Sequence, residues 1–475
     1  MESIASMTGS VAYASAFDLK KAFTKKDLSP VEAVKASLER AQSLEPKLNS
    51  FVTLTPELAL DAAKKAETAI MRGENIGLLQ GLPISIKDLI PVKGVRFTMG
   101  SKVMANNIAQ INAPVAERVI AAGGCIIGKT TSSEFGAKAV GDSPLTGATR
   151  NPWNVAKTSG GSSAGATASV ASGITPFSIA TDGGGSIRIP CSFTGLFGIK
   201  PQFARVAMYP VSAATTLAHC GSIARTVRDA ALLLTAESGF DARDPFSIAD
   251  PAPDYLAACE RPIKGMRIAW SPTLGFASAD PEVLRITESA AMTFQKLGCE
   301  VELVEKVFDE DPVKIWSSEF YAGIGTRLKP MLEKSRNLLD PAVVVIVERA
   351  LKQPIEQYYT NVFRRYDFRE KTRKFFEKFD LLLSPTLSVP AFDINRDLPM
   401  EFEGSDRNAV SWVYYTYAFN LTGQPAASIP AGFTKSKLPV GLQMVARSHQ
   451  EVDIFRAAAA FEEARPWASE IPPIK

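Results

Sequence analysis

Residues 158–190 read TSGGSSAGATASVASGITPFSIATDGGGSIRIP and hold two glycine runs, each closed by serine. Gly160-Gly161-Ser162-Ser163 comes first. Gly183-Gly184-Gly185-Ser186 follows, its serine 24 positions after Ser162 (186 − 162). Consecutive glycines let a backbone turn several N–H groups towards one point, because they adopt conformations a side chain forbids. A serine ending such a run can attack a carbonyl while those N–H groups hold the developing oxyanion. That is the requirement of acyl transfer. The alternatives are a flexible turn or a phosphate cradle, but the chain has neither G-x-x-x-x-G-K-[ST] nor a G-x-G-x-x-G between strand and helix.

A serine nucleophile needs a base. The chain has only two histidines, His219 and His449. The letters G-x-S-x-G surround Ser163, but no clear strand leads into them, so the nucleophile-elbow context is missing. Lysine serves when desolvation lowers its pKa and frees the amine. Lys87 lies in GLPISIKDLI, an apolar and β-branched run with the character of a buried strand. Lysine is almost never buried unpaired, so its place there asks for a reason. The alternatives are an ion pair with adjacent Asp88 or a side chain that snorkels to solvent.

Together, GLPISIKD, GGSSAG and TDGGGSIRIPCSFTGLFGIKP resemble the amidase signature family of serine hydrolases. SPVEAVKASLERAQSLEPKLNSFV, AAGGCIIGKTTSSEF, TRNPWN, GSIARTVRDAALLL, NLTGQPAASIPAGF and LPVGLQMVA are similar to further family segments, in family order. The resemblance spans the chain except for a divergent stretch over residues 237–407. It implies an α/β amidase-signature fold, with a central mixed β-sheet between layers of α-helices. It also implies roles by position: Ser186 as nucleophile, Lys87 as ultimate base, and Ser162 as the bridging serine after a cis bond from Gly161. The oxyanion hole maps onto the N–H groups of Gly183, Gly184, Gly185 and Ser186. Asp182 and Arg188 would pair to hold the loop, Ser163 would join the hydrogen-bond network, and Thr181 would brace the loop or face solvent. No metal or organic cofactor is implied.

Composition places the chain among globular proteins: 475 residues, 46% hydrophobic, 22% charged and a net charge of +3. That balance, with no basic block, gives no footprint for nucleic acid. Five scattered cysteines without C-x-x-C suit reduced, buried thiols in a cytoplasmic protein. The N-terminal MESIASMTGSVAYASAF does not read as a secretory signal, and no run is long and apolar enough to span a membrane. The expected partner is a small-molecule amide, with monomer and homodimer both open.

These residues need a scaffold to position them. Ser29-Pro30-Val31-Glu32 is a helix start, with a capping serine, proline at the first position and glutamate three on. Residues 1–75 read as a helical lead-in and 76–236 as the signature core. Residues 237–407 form a variable, helix-rich substrate side, and 408–475 return to the core, all within one domain. Strands are predicted at LPISIKDLI, CIIGK, residues 266–270 and 381–387, with helices over 164–172 and 281–297. Helix is predicted across 311–379, where Trp316, Phe320, Tyr321, Tyr358, Tyr359 and Phe363 are expected mainly to pack the core. Residues 393–406 read as a mobile polar rim. The aromatic stretch with Trp412, Tyr414, Tyr415 and Tyr417 fits either a substrate pocket or the core.

The leading expectation is a stand-alone hydrolase of small amides, aryl acylamides or carbamates. The alternative is the glutaminase (A) subunit of a tRNA-dependent amidotransferase. The resemblance gives such subunits an acid seven residues before the asparagine of N-L-x-G, where this chain has Val413 (420 − 7). A non-catalytic scaffold fits poorly with intact Lys87, Ser162 and Ser186. A histidine-assisted esterase would depend on His219.

Overall fold

The computed structural model describes residues 11–74, 77–400 and 410–474. Residues 1–10 of the N-terminal reading, 401–406 of the rim and the 407/408 boundary lie outside these residues.

One mixed sheet of 11 strands organises the molecule. Its order is Phe51–Leu54, Cys125–Thr130, Pro83–Lys87, Phe177–Asp182, His219–Ala224, Phe197–Lys200, Ala426–Phe433, Pro439–Ala446, Leu381–Pro385, Arg267–Trp270 and Glu300–Leu303. Pro83–Lys87 runs parallel to both its neighbours, while His219–Ala224 and Phe197–Lys200 run antiparallel to theirs. Side chains alternate between faces along a strand, so each strand feeds two cores. Ile268 and Trp270 enter one cluster and Ala269 the other; Leu381 and Leu383 likewise oppose Leu382. Helices cover both faces. The first cluster draws on the helices Val227–Glu237, Pro281–Lys296 and Glu451–Ala464, the second on Val313–Ser335, Pro341–Leu351 and Tyr414–Thr422. The sandwich expected from the sequence is the fold observed.

Local chemistry explains several boundaries. Ser29 Oγ accepts from the Glu32 amide at 3.1 Å while the Glu32 carboxylate accepts from the Ser29 amide at 2.8 Å, closing a capping box. The helix Pro30–Leu48 ends at Asn49 in a left-handed conformation. Beyond it the lead-in is not wholly helical. Phe51–Leu54, rich in β-branched and aromatic residues, pairs antiparallel with Cys125–Thr130 and forms an edge of the sheet.

The span 311–379, predicted helical, contains three α-helices, Val313–Ser335, Pro341–Leu351 and Ile355–Lys378. Trp316, Phe320 and Tyr321 are buried there, but Tyr359 and Phe363 are 52% and 64% exposed. Core packing therefore fails as an account of those two. In the described part of the rim, Asp393 pairs with Lys157 at 2.7 Å and Asp397 with Lys138 at 3.1 Å. Five cysteines are free thiols. Among the described residues no helix is long and apolar enough to cross a membrane, and no His/Cys/Asp/Glu cluster could hold a metal ion.

Leu382 is fully buried in a central strand, between Ala269 and Val445 in register. Leu382→Ala should destabilise the protein by about 2–5 kcal/mol, read from denaturant unfolding.

Candidate active site

Strand alternation sends Ile84 and Ile86 into the first apolar cluster and turns Ser85 and Lys87 to the opposite face. Ser85 Oγ meets Ser169 Oγ at 3.0 Å, on the small-residue helix Ala164–Ala171. One step further along that face, the Lys87 side chain is fully buried. Its Nζ lies 2.7 Å from Ser162 Oγ, 2.8 Å from Ser163 Oγ and 3.4 Å from the Thr181 carbonyl oxygen. Ser163 Oγ donates to the same Thr181 carbonyl at 3.1 Å. The Gly161–Ser162 peptide is cis.

Asp88 does not pair with Lys87. Its carboxylate takes Lys129 Nζ at 2.8 Å, the Thr98 amide at 2.9 Å and the Thr98 hydroxyl at 2.5 Å. Nor does Lys87 snorkel. Burial lowers its pKa from 10.5 to about 7, against smaller upward pulls from Asp182 and Cys220. The amine is held dry, with hydroxyls and a carbonyl in place of a counter-ion.

The second glycine run follows the strand Phe177–Asp182 and leads into the helix Arg188–Thr194. Asp182 anchors it. The carboxylate accepts from the Gly185 amide at 2.7 Å and the Ile187 amide at 3.2 Å. Arg188 forks onto both its oxygens at 3.0 Å each, and Asn420 Nδ2 adds a bond at 2.9 Å. Arg188 also donates to the Thr416 carbonyl, to Gln443 and to Asn420. Burial would raise the Asp182 carboxyl. The Arg188 charge, hydrogen bonds from Arg188 and Asn420, and the charge of Lys200 outweigh it and hold the group well below the usual carboxylate range.

Loop carbonyls are fixed as well. Trp316 Nε1 donates to the Gly183 carbonyl at 2.9 Å, Thr416 Oγ1 to the Gly184 carbonyl at 2.6 Å, and the Ile189 amide to the Gly185 carbonyl at 2.7 Å. Gly185 has φ +129°, open to glycine and strained for other residues. Of the four N–H groups assigned to an oxyanion hole, that of Gly185 is committed to Asp182. Those of Gly183, Gly184 and Ser186 have no acceptor among the described residues.

Ser162, Thr181, Gly183 and Ser186 open onto one cavity of about 370 Å³. Its walls are apolar: Leu89, Phe97, Met99, Phe135, Phe320 and Ile324 are representative. Arg327 is the one charged group among the described lining residues, and no carboxylate is present. The structure thus brings Lys87, Ser162 and Ser163 into direct contact and sets Ser186 in the same cavity. Ser186 Oγ makes no hydrogen bond with another described residue. His219 is elsewhere. It is buried, its Nδ1 lies 2.8 Å from the Leu217 carbonyl, and burial followed by the charge of Lys200 pushes its pKa well down. Trp412, Tyr415 and Tyr417 are also buried away from the cavity, as core.

Sequence reading missed Thr416 and Asn420 as loop supports, although Asn420 lay in the quoted N-L-x-G segment. It placed Trp316 only among aromatics in a helical stretch. No local signal pairs that residue with a glycine 133 positions away.

Residues 32–455 match the family model described as Amidase. The acylamidase of Rhodococcus erythropolis is 34% identical over 463 residues, covering 96% of this chain and 97% of that protein. The A subunit of the glutamyl-tRNA(Gln) amidotransferase of Geobacter metallireducens is 33% identical over 480 residues, covering 95% and 97%. Among solved structures, a bacterial aryl acylamidase of the amidase signature family superposes with a TM-score of 0.90 at 29% identity, covering 96% and 97%.

Arg188→Met would strand the Asp182 carboxylate without its cation. It should cost about 3–5 kcal/mol of stability, measured by denaturant unfolding, as expected when a buried pair loses one member.

Proposed function

This chain belongs to the amidase family of amide hydrolases, and from that premise we propose that it works alone as an acylamidase on small amides with an apolar acyl or aryl group. The observation that carries the reading is the buried Lys87 amine, 2.7 Å from Ser162 at the cavity that also holds Ser186.

In this reading Ser186 is the nucleophile, Ser162 the relay and Lys87 the base. Neutral Lys87 takes the Ser162 proton as Ser162 takes that of Ser186, whose Oγ bonds to the amide carbon. The oxyanion is held by the N–H groups of Gly183, Gly184 and Ser186, each donor worth about 2.7–4 kcal/mol where such groups have been removed. The Gly185 N–H instead keeps the loop on Asp182. Protons return along the relay to the nitrogen, the C–N bond breaks, and the amine leaves neutral. Water then attacks the acyl-serine with the same groups as its base, and the acid and free enzyme are released.

The glutaminase chain of an amidotransferase is the second reading, favoured by sequence similarity of the same order. The cavity speaks against it. A substrate α-ammonium would need an acid, yet the described lining has none, and Val413 is a buried apolar residue. Carbamates offer the same carbonyl chemistry, and they fall within the proposed substrate range.

The purified chain should release 4-nitroaniline from 4-nitroacetanilide with no partner chain present, and Ser186→Ala should abolish release. Turnover equal in both would overturn the assignment of Ser186. Lys87→Ala should lower kcat by about 10²–10⁴-fold, the range for a lost general base. Because the unprotonated amine is the active form, kcat/KM should climb with pH through about 7 and then level.

A further inference from the structure

We propose that Trp316 is a positioning residue that aims the oxyanion donors, an inference that rests on the acyl-transfer reading above. In a trans peptide the carbonyl of one residue and the N–H of the next point in opposite directions within one rigid plane. The peptides of the glycine run are trans, since Gly161–Ser162 and Tyr209–Pro210 are the cis bonds of the described chain. Each carbonyl held on one side therefore fixes a donor on the other.

Taken in order, the loop alternates. The indole of Trp316 holds the Gly183 carbonyl at 2.9 Å, which turns the Gly184 N–H away from the tryptophan. Thr416 holds the Gly184 carbonyl, which turns the Gly185 N–H onto Asp182. The Ile189 amide holds the Gly185 carbonyl, which sets the Ser186 N–H free of the helix that follows. Of the three donors left without an acceptor, Gly184 has its plane set by Trp316 and Ser186 by Ile189, while Asn420, on the Asp182 carbonyl at 3.0 Å, sets that of Gly183. Without the indole N–H, the Gly183–Gly184 plane would lose the hydrogen bond that fixes its rotation.

A second observation concerns fit. A Cβ on Gly184 would stand 2.6 Å from Trp316 Cζ2, so glycine there admits the ring against the backbone. The ring is itself wedged, stacked on Phe320 at 4.7 Å and on Tyr417 at 5.4 Å. Trp316 and Phe320 lie one turn apart on the helix Val313–Ser335, and Phe320, Ile324 and Leu328 continue as cavity wall. The helix that shapes the acyl pocket thereby also braces the loop that stabilises the transition state.

Trp316→Phe removes the N–H and keeps a stacked ring. Its kcat on 4-nitroacetanilide should fall by about tenfold or more, with KM within about twofold, short of the ~10²–10³ for loss of a whole donor. Affinity for a trifluoromethyl ketone, which presents an oxyanion, should fall by a similar factor. Trp316→His loses more packing, but in one ring flip its Nε2 takes the indole nitrogen position. It should retain more kcat than Trp316→Phe, the reverse of the order for a purely structural role. Unchanged kcat and ketone affinity in Trp316→Phe, or a histidine variant less active than the phenylalanine one, would overturn the proposal. Melting temperature of each variant separates misfolding from misalignment, with the histidine variant carrying the test should Trp316→Phe not fold. Labelling of wild-type Ser186 by a fluorophosphonate keeps the two levels apart. Absence of label would bring down the acyl-transfer reading and this inference with it, whereas labelling at equal rates in wild type and Trp316→Phe would sink only the latter.

Discussion

An amine kept in a dry interior without a carboxylate is the constraint on which the rest of this structure depends. Ionised lysine in such a place is costly, and the group responds by giving up its proton near neutrality. Keeping it so requires that nearby acids be occupied. Asp88, adjacent in sequence, faces away and is neutralised by Lys129 from the neighbouring strand. Asp182, closer to the site, is saturated by Arg188, Asn420 and two backbone amides. Lys87 is left with two hydroxyls and a carbonyl, contacts that leave an uncharged amine able to act as a base.

The Asp182–Arg188 pair also brings distant parts of the chain together. Arg188 reaches Thr416, Asn420 and Gln443, so the C-terminal segment returns to the sheet partly to complete a cage around the loop after the strand Phe177–Asp182. The helix Val313–Ser335 closes that loop from the other side and lines the cavity. Lys87, the glycine loop and the cavity are thus fixed from different layers of one fold. Substitutions in the helical layer can alter what the pocket accepts while the strand that carries Lys87 stays unchanged.

Much of this was legible in the sequence, and for identifiable reasons. Lys87 stood out because a lysine inside ISIKDLI violates the pattern of its surroundings, and the glycine runs did the same. The helix start at Ser29 carried its own capping signal. What was hidden depends on distance along the chain. That Asp88 belongs to Lys129, that Gly185 gives its N–H to Asp182 and that Trp316 meets Gly183 follow from strand register and packing, which spacing does not encode. Phe51–Leu54 was overlooked since a four-residue strand is outweighed by the long helices on both sides. Tyr359 and Phe363 misled because aromatic residue type argues for burial and only the fold shows which helix face is covered.

The central claim is that Lys87 is a neutral amine at working pH. Titration of the Lys87 side chain by NMR on protein labelled with ¹⁵N-lysine, assigned by the signal lost in Lys87→Met, tests it directly. A midpoint of about 7 is the expected result. An ammonium that stays charged until about pH 10, the ordinary range for lysine, would contradict the account.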